Sequence, residues 1–65
     1  MNSDWIVDIK TGRVRHRNGF VCLFYRDKIT DIKTIPENFS SHDIKAFSDE
    51  AIEQYSNVKE IEVVE

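Results

Sequence analysis

Asn18 and Gly19 stand between two β-rich runs, residues 13–17 and 20–26, and this pair constrains the fold more than any other feature of the chain. Asn-Gly in that setting is the strongest short-range hairpin signal, because a type I′ turn needs positive φ at both central residues. A two-residue turn also sets the register. Arg17 then faces Phe20, Arg15 faces Cys22 and Arg13 faces Phe24, while His16 pairs with Val21 and Val14 with Leu23. One face is expected to carry three arginines beside two phenylalanines. The other is expected to be almost wholly apolar.

Upstream, residues 5–10 read as a first strand, and Thr11-Gly12 as a tight turn into residues 13–17. A two-residue turn there sets Ile9 against Val14, Val7 against His16 and Asp8 against Arg15. The apolar face then collects Trp5, Val7, Ile9, Val14, His16, Val21, Leu23 and Tyr25. A three-residue loop would instead move Arg13 and Arg15 onto the core face. Two turns read independently send the apolar residues to one side, which argues for a three-stranded antiparallel meander over residues 5–26. Residues 20–25 are apolar throughout, the pattern of a strand buried on both faces. The arginine face is therefore not expected to be simply open to water.

Beyond the meander, Ile29, Ile32 and Ile35 recur every three residues, which suits an irregular or short helical turn, and Pro36 limits any helix before it. Ser40 or Ser41 can cap a helix. Ile44, Phe47, Ala51, Ile52, Tyr55 and Val58 follow at spacings of three and four, an amphipathic stripe that predicts a helix over about 41–56. Ser48-Asp49-Glu50 is itself a cap with acids in a first turn, so a break into two helices near Ser48 is compatible with the pattern. Residues 59–65 alternate Ile61 and Val63 with glutamates and read as a short edge strand. The expected fold class is α+β: one domain over residues 1–65, with the meander packed on one helix and a short C-terminal strand at the sheet edge.

A chain of 65 residues buries only about 60% of its unfolded surface and leans on reinforcement. One cysteine excludes an internal disulfide, and His16, Cys22 and His42 lack zinc-site spacing, so no metal is expected. Association with a partner or with a second copy is the favoured remaining reinforcement. No basic region followed by an apolar run opens the sequence, and no run approaches a membrane span of about 20 residues. With the lone thiol, these lead to the expectation of a cytoplasmic protein that does not engage membranes. The net charge of −3 is unevenly spread. Residues 1–26 hold five basic and two acidic side chains, and residues 42–65 hold two basic and seven acidic. A basic sheet end and an acidic helical end are expected, which orients a charged partner.

The candidate partner-binding residues are Ile6, Arg13, Arg15, Arg17, Phe20 and Phe24, the expected far face of the sheet. Guanidinium forks bind carboxylate or phosphate, and interface centres favour arginine with aromatics. The plainer reading lays the arginine stems across the rings with their heads in water. His16 is expected on the core face between Val7 and Val21. Cys22 is expected opposite Arg15, with no base beside it to make it a nucleophile. Asp49, Glu50 and Glu53 form an acidic group that a helix dipole explains. No phosphate loop, nucleophile elbow or cofactor fingerprint occurs, so neither an enzyme nor a cofactor is expected. The expected function is a small interaction module, of the regulator or inhibitor kind, that binds a protein or itself. The alternative is single-stranded nucleic acid or another polyanion on the same face, against which the acidic overall balance weighs.

Overall fold

In the computed structural model, residues 4–63 are described, with side chains described through Lys59. Four strands, β1 (Trp5–Asp8), β2 (Arg13–His16), β3 (Val21–Tyr25) and β4 (Lys28–Thr34), precede one helix, α1 (Ser41–Val63). The strands form an antiparallel meander in the order β1-β2-β3-β4, and α1 packs on one face. The class is α+β, and the meander has four strands where three were expected.

The hairpin at Asn18-Gly19 is present, but its register is one residue away from the expectation. Arg15 pairs with Val21, Val14 with Cys22 and Arg13 with Leu23. Of the loop residues only Gly19 takes positive φ, at 108°. His16 N donates to Phe20 O at 2.8 Å, and Gly19 N donates to His16 O at 2.9 Å. These bonds enclose Arg17, Asn18 and Gly19 in a three-residue loop with a glycine bulge. Asn18 is spent on the loop itself: its Oδ1 accepts from Phe20 N, and its own N–H donates to His16 Nδ1. Because side chains alternate, one residue of slip exchanges the faces of β3. Phe20, Cys22 and Phe24 turn into the core, and Val21, Leu23 and Tyr25 turn out.

The first hairpin shifts by two residues, which preserves parity. Val7 pairs with Val14, Trp5 with His16 and Asp8 with Arg13. Its connection is four residues long. Asp8 Oδ1 accepts from the amides of Lys10 and Thr11, and Gly12 N donates to Asp8 O at 2.8 Å. Trp5, Val7, Ile9, Val14 and His16 therefore lie on the core side as the pattern required. Gly12 has φ of +78°, and a Cβ there would sit 2.4 Å from the carbonyl oxygen of Phe24.

Residues 28–34 form β4 rather than an irregular turn. Phe24 pairs with Ile29 and Cys22 with Ile32, and the register shifts between Leu23 and Phe24 and again between Val21 and Cys22. The first shift inserts one residue between Ile29 and Ile32, so a spacing of three still leaves both on the core side. Arg26 and Asp27 join β3 to β4 with φ of 54° and 65°, the double positive φ of a type I′ turn. Lys59 of α1 donates to Asp27 Oδ1, and this hydrogen bond holds its ammonium pKa above the ordinary value.

Helix α1 starts with a reciprocal cap: Asp43 N donates to Ser40 Oγ, and Ser40 N donates to Asp43 Oδ2, both at 3.1 Å. The helix runs unbroken through Ser48. Asp49 pairs with Lys45 one turn back, and Glu50 accepts the Trp5 indole N–H. The expected C-terminal strand is absent through Val63, because the helix continues there; Val64 and Glu65 lie outside the described residues. Ala51 and Tyr55 are buried, while Ile52 is 42% exposed and does not join the core. At one end Trp5, His16, Phe20, Phe39 and Phe47 pack ring against ring, and at the other Phe24 stacks on Tyr55 with centroids 4.3 Å apart. Full burial of a phenylalanine such as Phe20 stabilises by roughly 1.5–3 kcal/mol.

Candidate functional site

A single helix covers one side of the sheet, and the other side is left uncovered by the described residues. The pairings order its side chains in rows across the strands. One row runs Ile6, Arg15, Val21 and Thr34; the next runs Asp8, Arg13, Leu23 and Asp31; Tyr25 and Lys28 continue it toward the β3–β4 turn. Ile6 is 57% exposed and Tyr25 64%, and the Arg26 guanidinium lies 5.4 Å above the Tyr25 ring. Val21 and Leu23 are half-buried between their neighbours. The local sequence explains this mixture. β-branched and aromatic residues hold the strands, and the glycine bulge at Gly19 selects which of them face outward.

Of the six candidate residues, Ile6, Arg13 and Arg15 share this face. Arg17 sits at its margin in the loop, with its guanidinium 3.1 Å from Asp4 Oδ1. Phe20 and Phe24 do not belong to it. They are 0% and 6% exposed beneath α1, so they cannot meet a partner beside the arginines. The three-residue loop is the cause. Val21, Leu23 and Tyr25 take their places, and the alternation of residues 20–25 would have identified them had the loop length been legible.

Arg13 and Arg15 have no ion pair or side-chain hydrogen bond among the described residues. Their rows contain Asp8, whose carboxylate is engaged with backbone amides, and Asp31, which pairs with Lys33 at 3.2 Å. Two free guanidinium groups therefore stand between four apolar side chains. That arrangement can bind carboxylates or phosphates while burying apolar surface around them.

Cys22 faces Val14 inside the core, not Arg15, and burial pushes its thiol up to about 11. A protonated, enclosed thiol is a poor nucleophile. His16 stands edge-on to Trp5 and Phe47, with ring centroids at 4.7 and 5.0 Å, and its Nδ1 accepts from the Asn18 amide. Asp49 and Glu50 are taken up by Lys45 and Trp5, and no group of three or more histidine, cysteine or acidic side chains is gathered for a metal among the described residues. Among the described residues, no helix is long and apolar enough to cross a membrane. Comparison with protein-family models, with curated proteins and with solved structures finds no match to this chain.

Proposed function

We propose that this protein is a small non-enzymatic interaction module, of the regulator or inhibitor kind, that binds an acidic protein surface through its uncovered sheet face. The observation that carries the reading is the open face itself, where unpaired Arg13 and Arg15 lie among Ile6, Val21, Leu23 and Tyr25. Covering apolar surface gains about 25 cal/mol per Å². Arginine with tyrosine is what interface centres favour. Carboxylates of the partner would meet the two guanidinium groups. A cytoplasmic setting, supported by the lone reduced thiol, is part of the same proposal.

The test is affinity capture from the native host, comparing the wild type with Arg15→Glu and with Leu23→Lys. A partner retained by the wild type and lost by both variants supports the reading, provided both keep the wild-type circular dichroism. Retention by both variants refutes it. Light scattering across a range of concentrations tests the version in which the partner is a second copy.

A second reading rests on Tyr25 with Arg26 above it. An exposed ring beside cations is a stacking platform for single-stranded nucleic acid. It requires binding that falls steeply with salt and drops in Arg13→Glu or Arg15→Glu. A gel shift at low salt with an oligothymidylate and an oligouridylate decides it, and no retardation removes it.

A further inference from the structure

We infer that Asn18 is a self-modification site: the folded chain loses ammonia there, with water as the only co-reactant, and the isoaspartyl product loosens the loop that fixes the register of β3. This goes beyond the proposed function, because the change is covalent and needs no partner. Asn18 and Gly19 are both exposed at the tip of the β2–β3 loop. Gly19 has no side chain to shield its nitrogen, and nothing lies within 4 Å of the place a Cβ would fill. Asn18 Oδ1 accepts from Phe20 N at 3.0 Å, which folds the side-chain amide toward the Asn18–Gly19 peptide and polarises its carbonyl. Asn18 Nδ2, the leaving group, makes no hydrogen bond among the described residues. Asn38 and Asn57 lack this combination. Asn38 precedes Phe39, whose ring stacks on Phe20, and Asn57 lies in α1, where helical hydrogen bonds fix the backbone.

The step balances without an oxidant or a reductant. Gly19 N gives its proton to a base in solvent and attacks Asn18 Cγ. The new C–N bond forms, the Cγ–Nδ2 bond breaks, and ammonia leaves with a proton returned from solvent. Water then opens the cyclic imide at either carbonyl. Cleavage at Cγ gives aspartate on an ordinary backbone. Cleavage at the main-chain carbonyl routes the chain through Cβ and Cγ, which adds a backbone carbon and gives isoaspartate. One bond opposes the attack: Gly19 N donates to His16 O at 2.9 Å and must open first. It is a single bond at an exposed turn, so local opening suffices while the strands stay paired. The isoaspartyl product does not fit the loop again. The bonds from His16 N to Phe20 O, from Gly19 N to His16 O and from Asn18 N to His16 Nδ1 all belong to a loop of fixed length. An added carbon between Asn18 Cα and Gly19 N breaks that fit, and the register of β3 rests on it. Aspartate keeps both the backbone length and the Oδ1 acceptor.

The experiment incubates the intact chain at mildly alkaline pH, with and without sucrose. Trypsin then releases residues 18–26, which chromatography and mass spectrometry resolve into asparagine, aspartate and isoaspartate forms. Enzymatic methylation of isoaspartate gives an independent count. The expected result is first-order conversion at Asn18, at least roughly tenfold faster than at Asn38 or Asn57. The rate should hold in sucrose, which suppresses global unfolding. Gly19→Ala should slow the reaction by a similar factor, because the methyl group shields the nitrogen. The isoaspartyl chain, separated by its added negative charge, should melt below the wild type, and Asn18→Asp should melt close to it. No isoaspartate at Asn18, under conditions in which a free peptide of residues 16–21 converts, overturns the inference. So does a rate that falls in sucrose in step with the unfolded population, or one that is equal at Asn38 and Asn57 or unchanged in Gly19→Ala. An isoaspartyl chain that melts with the wild type, or with Asn18→Asp, overturns it as well.

Discussion

Gly12 and Gly19 both take positive φ, but their surroundings differ, and the difference is measurable. At Gly19 a Cβ meets nothing within 4 Å, so Gly19→Ala bears only the strain of the left-handed backbone, about 1–2 kcal/mol. At Gly12 the same strain is joined by a Cβ placed 2.4 Å from the Phe24 carbonyl oxygen, which itself belongs to a paired strand. Gly12→Ala should therefore cost roughly 3 kcal/mol or more, enough to unfold much of a marginal domain. Urea titration of both variants checks this, and equal costs would contradict the close approach. Cys22 gives a second test at this scale. Its folded pKa of about 11 lies above the unfolded value of 9.0, so the folded state holds the proton more tightly. That contribution to stability is complete below pH 9 and is lost as pH rises toward 11. The stability of the wild type should fall across this window more steeply than that of Cys22→Ala. Parallel curves would mean that the thiol is not shielded by burial.

The elements differ in how much of them the sequence discloses, and loop length is the reason. The two N-terminal hairpins and the stripe from Phe47 to Tyr55 are legible, because turn residues and apolar spacing each signal their element locally. Parity across Asn18-Gly19 is not legible. Asn-Gly serves a two-residue type I′ turn and a three-residue bulged loop equally well, and the two place β3 on opposite faces. The true type I′ turn occupies Arg26-Asp27, a pair without glycine, so nothing in the residue types advertises it. β4 is hidden in turn by bulges that set its core isoleucines three apart. Helix continuation through Ile61 and Val63 competes with an alternation that reads equally as strand. Register is best tested by neighbours. Phe24→Ala should cost about 3–5 kcal/mol, because the ring stacks on Tyr55 in the core. Ile6→Lys should change stability by no more than about 0.5 kcal/mol. The reverse order in chemical denaturation would restore the register that places Phe24 beside Arg13. At the helix start, Ser40→Ala and Asp43→Ala should each cost about 1 kcal/mol. The double variant should cost less than the sum, since each side chain bonds the other's amide.

At the scale of the whole molecule, one core joins the sheet to the helix, and the open face lies outside it. Trp5 is part of this junction: it packs on Phe47, and its indole donates to Glu50 of α1. Tryptophan fluorescence and helical circular dichroism should therefore report one coincident transition. A ligand that binds only the folded chain then raises that single transition by mass action, by about 2.7 kcal/mol at one hundred times its dissociation constant. Arg13 and Arg15 stand free on the open face, while Asp4 pairs with Arg17, Asp8 with backbone amides and Glu50 with the Trp5 indole. An acidic partner on the open face should stabilise the wild type and fail to stabilise Arg15→Glu. Thermal melts of the two chains with and without that partner check this. If Arg15→Glu were stabilised as much as the wild type, the partner would not bind at the open face, and the reading of its free guanidinium groups as anchors would have to be abandoned.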